Sequence, residues 1–212
     1  MNFIYTALIL ILPCTIHFSE IINGQIIKST SETAINEVTI GKQTWSNKNV
    51  DAVTFRNGDT IPEAKTDYDW QKPEPHWCYY DNNPENGPKY GKLYNWFAVT
   101  DSRGIAPVGW HVPNSGEWMQ LTVFLGGDWY AGAKLKSTTA WNNNKNNTNL
   151  VGFDAIPAGY RYYDGAFAFK NSGFWWTTTE SLFCQMNSGT ISVMSRQTAN
   201  KKTGLSIRLV KD

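Results

Sequence analysis

Apolar residues recur along this chain in two rhythms, and the switches between them outline its elements. Early in the main body, Val38-Thr-Ile40 and Gln43-Thr-Trp45 flank Gly41, which reads as two short strands around a turn. Residues 51–88 are dense in Asp, Asn, Gly and Pro, the composition of long loops, with strand-like Trp77-Cys-Tyr-Tyr80 among them. Over residues 90–100 the period lengthens. Leu93, Tyr94, Trp96, Phe97 and Val99 there cover one broad helical face. A second helix is expected over 115–125, where Asn114 stands as N-cap with Glu117 three residues on, a pair that satisfies free amides reciprocally. Trp118, Leu121, Thr122 and Leu125 then recur at helical spacing, and Gly126-Gly127 supplies a left-handed stop.

Further along the period returns to two. Tyr160-Arg-Tyr162 and Phe167-Ala-Phe169 alternate about Asp164-Gly165, a hairpin-turn dipeptide. Phe174-Trp-Trp-Thr-Thr-Thr179 consists of strong β-formers, and Ile191-Ser-Val-Met194 and Leu205-Ser-Ile-Arg-Leu-Val210 read as closing strands. Residues 141–149 hold six Asn in nine positions and read as a surface loop. Helices early and antiparallel strands late define an α+β domain.

The 212 residues suit one generous domain, and 41% hydrophobic content supports a real core. Charged residues are only 17% and the formal net charge is +1, without the clustered Lys and Arg of a nucleic-acid surface. Aromatic residues are abundant: ten each of Trp, Tyr and Phe. The apolar run over residues 3–12 is too short for a bilayer of about 30 Å and has the length of a signal-peptide core, although no Lys or Arg precedes Lys28. The partition is a leader over 1–24, a polar, irregular linker over 25–37 and a domain over 38–212. Ile11-Leu12-Pro13-Cys14 bears a faint likeness to a lipobox with Pro where a small residue belongs, so lipidation of Cys14 is an alternative to plain secretion, and the sole expected link to a membrane. Beyond the leader stand Cys78 and Cys184, which export permits to bridge. No Cys/His spacing of a zinc site occurs, and no metal is expected.

The ordered motifs are more specific than any one of them. Ile40-Gly-Lys-Gln-Thr-Trp45, Tyr90-Gly-Lys-Leu-Tyr-Asn-Trp96 and Pro107-Val-Gly-Trp-His-Val-Pro113 come first, then Glu117-Trp118, Lys134-Leu-Lys136 and Pro157-Ala-Gly-Tyr-Arg161. Gly173-Phe-Trp-Trp-Thr-Thr-Thr-Glu180 and Gly204-Leu-Ser-Ile-Arg208 complete the series. Together they resemble the Fibrobacter succinogenes major paralogous domain, a family of exported bacterial modules, over about residues 38–212. A more distant likeness is to the formylglycine-generating (sulfatase-modifying) enzymes. Both resemblances imply a C-type-lectin-like fold, with two short helices on twisted antiparallel sheets, paired terminal strands and long binding loops. They also imply structural roles for Trp45, Tyr94, Asn95, Trp96, Trp110, Trp118 and Trp175. Family members often carry Cys where this chain has Ala106 and Leu209, so no family disulfide is carried over.

The notable side chains divide between packing and binding. His111 reads as a buried imidazole bonded to backbone near a helix start, and Glu117 as a capping residue. Arg161 and Arg208 suit internal clamps with Asp or Glu. Trp175 and Trp176 alternate on a strand, so one ring is core and Trp176 is a candidate for stacking on a sugar. Trp129, Tyr130 and Trp141 lie in or beside loops and are candidates for an exposed aromatic platform. The calcium-coordinating lectin signature is absent, and no cofactor or catalytic residue is assigned; Asp154, Asp164 and Glu180 would be the first carboxylates to examine for glycoside hydrolysis. The expected function is a non-catalytic, secreted or envelope-bound binding or adhesion module for glycans or another envelope protein. The alternatives are a purely structural envelope domain, a formylglycine-generating-type oxidoreductase and a glycosidase.

Overall fold

The computed structural model describes residues 19–22, 25–28, 35–143 and 145–212. They belong to two units, Met1–Ile35 and Asn36–Asp212. In the first, strands β1 (Ser19–Ile22) and β2 (Gln25–Lys28) pair antiparallel, Ser19 opposite Lys28. Residues 25–28 are therefore strand rather than the irregular tether expected. Cys14 and most of the expected leader lie outside the described residues.

The second unit begins with β3 (Glu37–Ile40) and β4 (Gln43–Ser46), the hairpin read around Gly41. Helix α1 (Asp67–Trp70) and strand β5 (Trp77–Cys78) follow within the long loop, which buried Phe55, Ile61, Ala64 and Trp70 tie down. The single helix expected over 90–100 is instead three pieces: helix α2 (Gly87–Tyr90), strand β6 (Leu93–Tyr94) and helix α3 (Trp96–Val99). Gly91, at φ 72°, ends the first piece, and Asn95 caps the last by accepting from the Ala98 N–H at 3.1 Å. Between them β6 pairs with β5. Strand β7 (Trp110–His111) leads to helix α4 (Ser115–Phe124), which has the expected capping box. Helix α5 (Asp128–Leu135) was not legible in the periodicity.

Strands β8 (Tyr160–Arg161) and β9 (Phe167–Ala168) form the expected hairpin. Strands β10 (Ser172–Trp176), β11 (Leu182–Asn187) and β12 (Met194–Thr198) make an antiparallel sheet in that order. The strand expected over 191–194 thus begins only at Met194. Strand β13 (Val210–Lys211) lies between β4 and β7 in a four-stranded sheet of order β3-β4-β13-β7, Val210 opposite both Trp45 and His111. The expected neighbourhood of the last strand and the first hairpin is thereby met, but residues 204–206 make only single bridges to other elements and 207–209 lie outside any strand. The architecture is α+β, with five α-helical segments among the described residues where two were expected.

At the centre Trp45 and Trp118 meet at 4.9 Å between ring centroids, with Phe153 against both at 5.6 and 5.7 Å and Trp175 6.1 Å from Trp118. Beneath this cluster runs Arg208, fully buried with its guanidinium 4.5 Å from the Phe153 ring. It does not pair with a carboxylate as expected. It donates to the carbonyls of Ser46 (2.9 Å), Phe153 (2.7 Å) and Asp154 (3.0 Å) and to Asn49 Oδ1 (2.8 Å). Burial pushes its pKa down, but four acceptors in fork geometry hold the charge.

Candidate ligand-binding cleft

The β8–β9 hairpin turns one face inward and one outward. Its register sets Arg161 opposite Phe167 and Tyr160 opposite Ala168, so Arg161 and Phe167 share the inner face while Tyr160 and Tyr162 share the outer. The buried Arg161 guanidinium lies 4.7 Å from the Trp70 ring and 4.9 Å from that of Phe167. It donates to Asp67 Oδ1 (2.9 Å) and to the carbonyls of Ala64 (2.9 Å) and Gly165 (3.1 Å). This is the acidic pairing expected of Arg161, and it locks the hairpin to α1. Gly159 guards the entry: with φ at +66°, a Cβ there would sit 2.4 Å from the Tyr80 ring.

Strict alternation would place Phe169 inward with Phe167. Its φ of 56° reverses the chain just past the strand, and the ring stacks on Tyr160 instead, centroids 5.4 Å apart and planes 10° from parallel. Phe167 meets Tyr80 on the inner side at 5.4 Å. A left-handed φ at a bulky residue is held only where packing compels it. The result is an aromatic shelf with Tyr163 and Phe169, 52% and 57% exposed, at its lip.

Strands β10 and β11 supply Phe174, Phe183 and Gln185 as the floor of the cleft, and Thr198, Asn200 and Thr203 form the far wall. The open cleft has a volume of about 370 Å³. None of the described lining residues is charged at neutral pH. Burial, then the neighbouring Tyr162 hydroxyl, holds the Tyr160 phenol above its ordinary pKa. Flat rings beside amides and hydroxyls can stack on an apolar ligand face and bond neutral hydroxyls around its rim.

Of the four aromatic residues singled out for binding, two stand outside and two do not. Trp129 and Tyr130 on α5 are 79% and 61% exposed. Trp129 borders a second depression, of about 240 Å³. Trp141 is corrected to a core residue, only 3% exposed: its Nε1–H donates to the Ala155 carbonyl (2.8 Å) and its ring takes the Lys136 ammonium at 4.8 Å. Trp176 is likewise fully buried, donating to the Tyr94 carbonyl at 2.8 Å. Strand β10 has a partner at each edge, β11 and Ser206, and is buried on both faces, where Trp175 meets Trp118 and Trp176 meets Phe183, so both rings are core.

The remaining singled-out residues have structural surroundings. Tyr94 and Asn95 are fully buried and Trp110 nearly so; Trp96 carries the Lys201 ammonium 4.7 Å from its ring. Glu117 caps α4, and His111 bonds to carboxylates rather than to backbone. Cys78 and Cys184 are not bridged to each other: they are buried in separate hydrophobic clusters, Cys78 with Trp70 and Leu93, Cys184 with Trp118 and Trp175. Burial pushes the Cys78 thiol up to about 12 against the pull of Arg161, which leaves it a poor nucleophile. Asp154 Oδ1 accepts from Asn149, Asp164 caps its own turn, and Glu180 pairs with Lys201 at 2.7 Å. Among the described residues no group of three or more His, Cys, Asp and Glu side chains is arranged to hold a metal ion, and no helix is long and apolar enough to cross a membrane.

The cleft residues were legible as strand pattern but not as a site. Phe169 departs from alternation, and Phe183 and Gln185 lie on a strand with no clear period.

A buried tryptophan core, closed by a returning C-terminal segment and bearing an aromatic cleft on its surface, defines an α+β domain. Residues 38–211 match the Fibrobacter succinogenes major domain, and the chain belongs to that family. Neither curated proteins nor solved structures give a significant match.

Proposed function

We propose that this is an exported, non-catalytic carbohydrate-binding module of C-type-lectin-like architecture, with the tyrosine cleft as its ligand site. The Tyr160–Phe169 stack carries the reading, since it spreads a flat apolar surface at a solvent-open cleft whose other contacts are neutral amides and hydroxyls. Pairing of β13 with β4, and the long connection over residues 47–66, support the lectin-like arrangement. The apolar run over residues 3–12 supports export to the envelope or beyond. An uncharged lining favours neutral sugars over polyanions, and the near-neutral chain gives nucleic acid no footing.

The test is a glycan array probed with the full chain and with Phe169→Ala, each with and without a chelator. Retention of neutral glycans is expected, insensitive to chelator. Phe169→Ala should weaken it about tenfold, the worth of one stacked ring. Failure to retain any glycan would sink this reading and favour a purely structural envelope domain.

A further inference from the structure

The two depressions on this unit share a rim. In the β11–β12 ladder Phe183 is opposite Gln197, and Gln185 is opposite Met194. Phe183 and Gln185 line the tyrosine cleft, whereas Gln197 and Met194 line the depression beside Trp129. Cross-strand partners have their Cα atoms about 5 Å apart, so each of these pairs sets a residue lining one hollow beside a residue lining the other.

The far end is rigidly placed. The Val193 N–H donates to the Asp128 carbonyl (2.8 Å) and Ser195 Oγ donates to Asp128 Oδ2 (2.9 Å), which fastens the first turn of α5 to β12. Trp129 follows at once, the most exposed tryptophan of the described residues, and shares the lining of its hollow with Ser192, Ser195 and Gln197. From Met194 to Thr198 the strand spans roughly 13 Å, the length of two to three linked pyranose rings.

We infer that the ligand is a linear neutral polysaccharide lying along β12, with one sugar stacked at Tyr160 and Phe169 and another, a few units away, on Trp129. This rests on the carbohydrate reading above and extends it from a single cleft to a two-platform track. A neutral polymer is favoured over a uronate because, among the described lining residues of both hollows, Asp128 alone is charged, and it is negative. A peptide adding to the β12 edge is disfavoured, because the register shift between Phe183 and Gln185 interrupts the regular ladder on which strand addition depends.

Titration calorimetry with β-1,4- and β-1,3-linked gluco-oligosaccharides of two to six units tests the track. Affinity of the full chain should rise about tenfold from the shortest to the longest member of the bound series, as a second ring engages. Trp129→Ala should abolish the rise while leaving the disaccharide affinity within about twofold, and Trp129→Tyr should restore most of it. Because Trp129 is exposed, an unchanged circular dichroism spectrum is expected for both variants. Length-independent binding, or a rise that persists in Trp129→Ala, overturns the track while leaving the cleft intact. No binding at any length in either series overturns the track, and the array then decides whether the cleft reading falls with it.

Discussion

His111 is held between two carboxylates, with Nδ1 2.6 Å from Asp212 Oδ1 and Nε2 2.7 Å from Glu117 Oε1. Only the imidazolium form can donate to both at once. Burial opposes the charge, but the hydrogen bonds to Glu117 and Asp212 outweigh it and raise the pKa above its ordinary value. The other oxygen of Glu117 accepts from the Asn114 N–H (2.8 Å), so the imidazolium also steadies the cap of α4. A raised folded-state pKa means this contribution is complete below the unfolded value of about 6.5 and is lost as pH climbs through the folded one. The melting temperature should therefore fall as pH climbs above about 6.5, and His111→Gln should flatten that slope. Partial exposure of the pair keeps the effect small. An identical pH profile in His111→Gln would remove the clamp from the account of stability. Sequence exposed Glu117 as a cap because its partner is three residues away, but hid Asp212, which arrives from the far end of the chain.

At the scale of elements, α5 is the instructive case. Gly132 lies in its middle, where Ala would normally strengthen a helix by roughly 1 kcal/mol. Here a Cβ would stand 2.6 Å from the Ile191 carbonyl oxygen and 2.7 Å from that of Ser192, both backbone atoms that cannot swing aside. The Ala133 N–H also donates to the Ile191 carbonyl (3.1 Å), so helix and strand approach are fastened at this point. Overpacking costs of about 1–3 kcal/mol outweigh the propensity gain, and Gly132→Ala should lower the unfolding free energy in urea. A stabilised variant would show that the approach is soft. The same glycine explains why α5 was illegible: it weakens the helical signal locally for a reason that resides sixty residues on. Elements governed by near neighbours, the α4 capping box and the Asp164-Gly165 hairpin, could be read directly. The segment over 90–100 could not, because Tyr94 takes its partners from Trp77 and Leu205 and its helical spacing is overridden by that pairing.

Across the whole second unit, the segment over residues 204–210 acts as the shared partner of nearly every layer. Gly204 bridges to Arg161, Leu205 to Tyr94 and Ser206 to Trp175; the Ile207 carbonyl accepts from the Val50 N–H, and the Leu209 carbonyl from that of Ser46. Val210 then pairs with Trp45 and His111. This also explains why the cleft was not legible as a site: its floor, wall and shelf come from residues spread over 160–205, and they converge only once this segment has drawn β8 and β10 together. Four of its side chains, Leu205, Ile207, Leu209 and Val210, are buried apolar groups. At about 1.5–3 kcal/mol each they contribute roughly 6–12 kcal/mol, as much as the whole stability of about 5–15 kcal/mol expected for a domain. Loss of the segment would also strip the Arg208 clamp from Asn49 and from the carbonyls of Ser46, Phe153 and Asp154, the first two of them in buried contacts that are costly to leave unpaired. A chain shortened to end at Thr203 should therefore lack any cooperative thermal transition, whereas the full chain should unfold with coincident tryptophan fluorescence and far-ultraviolet dichroism changes across this unit. A shortened chain that still melts sharply would mean that the layers hold together without their common strand, and that the cleft is built by β8 to β12 alone.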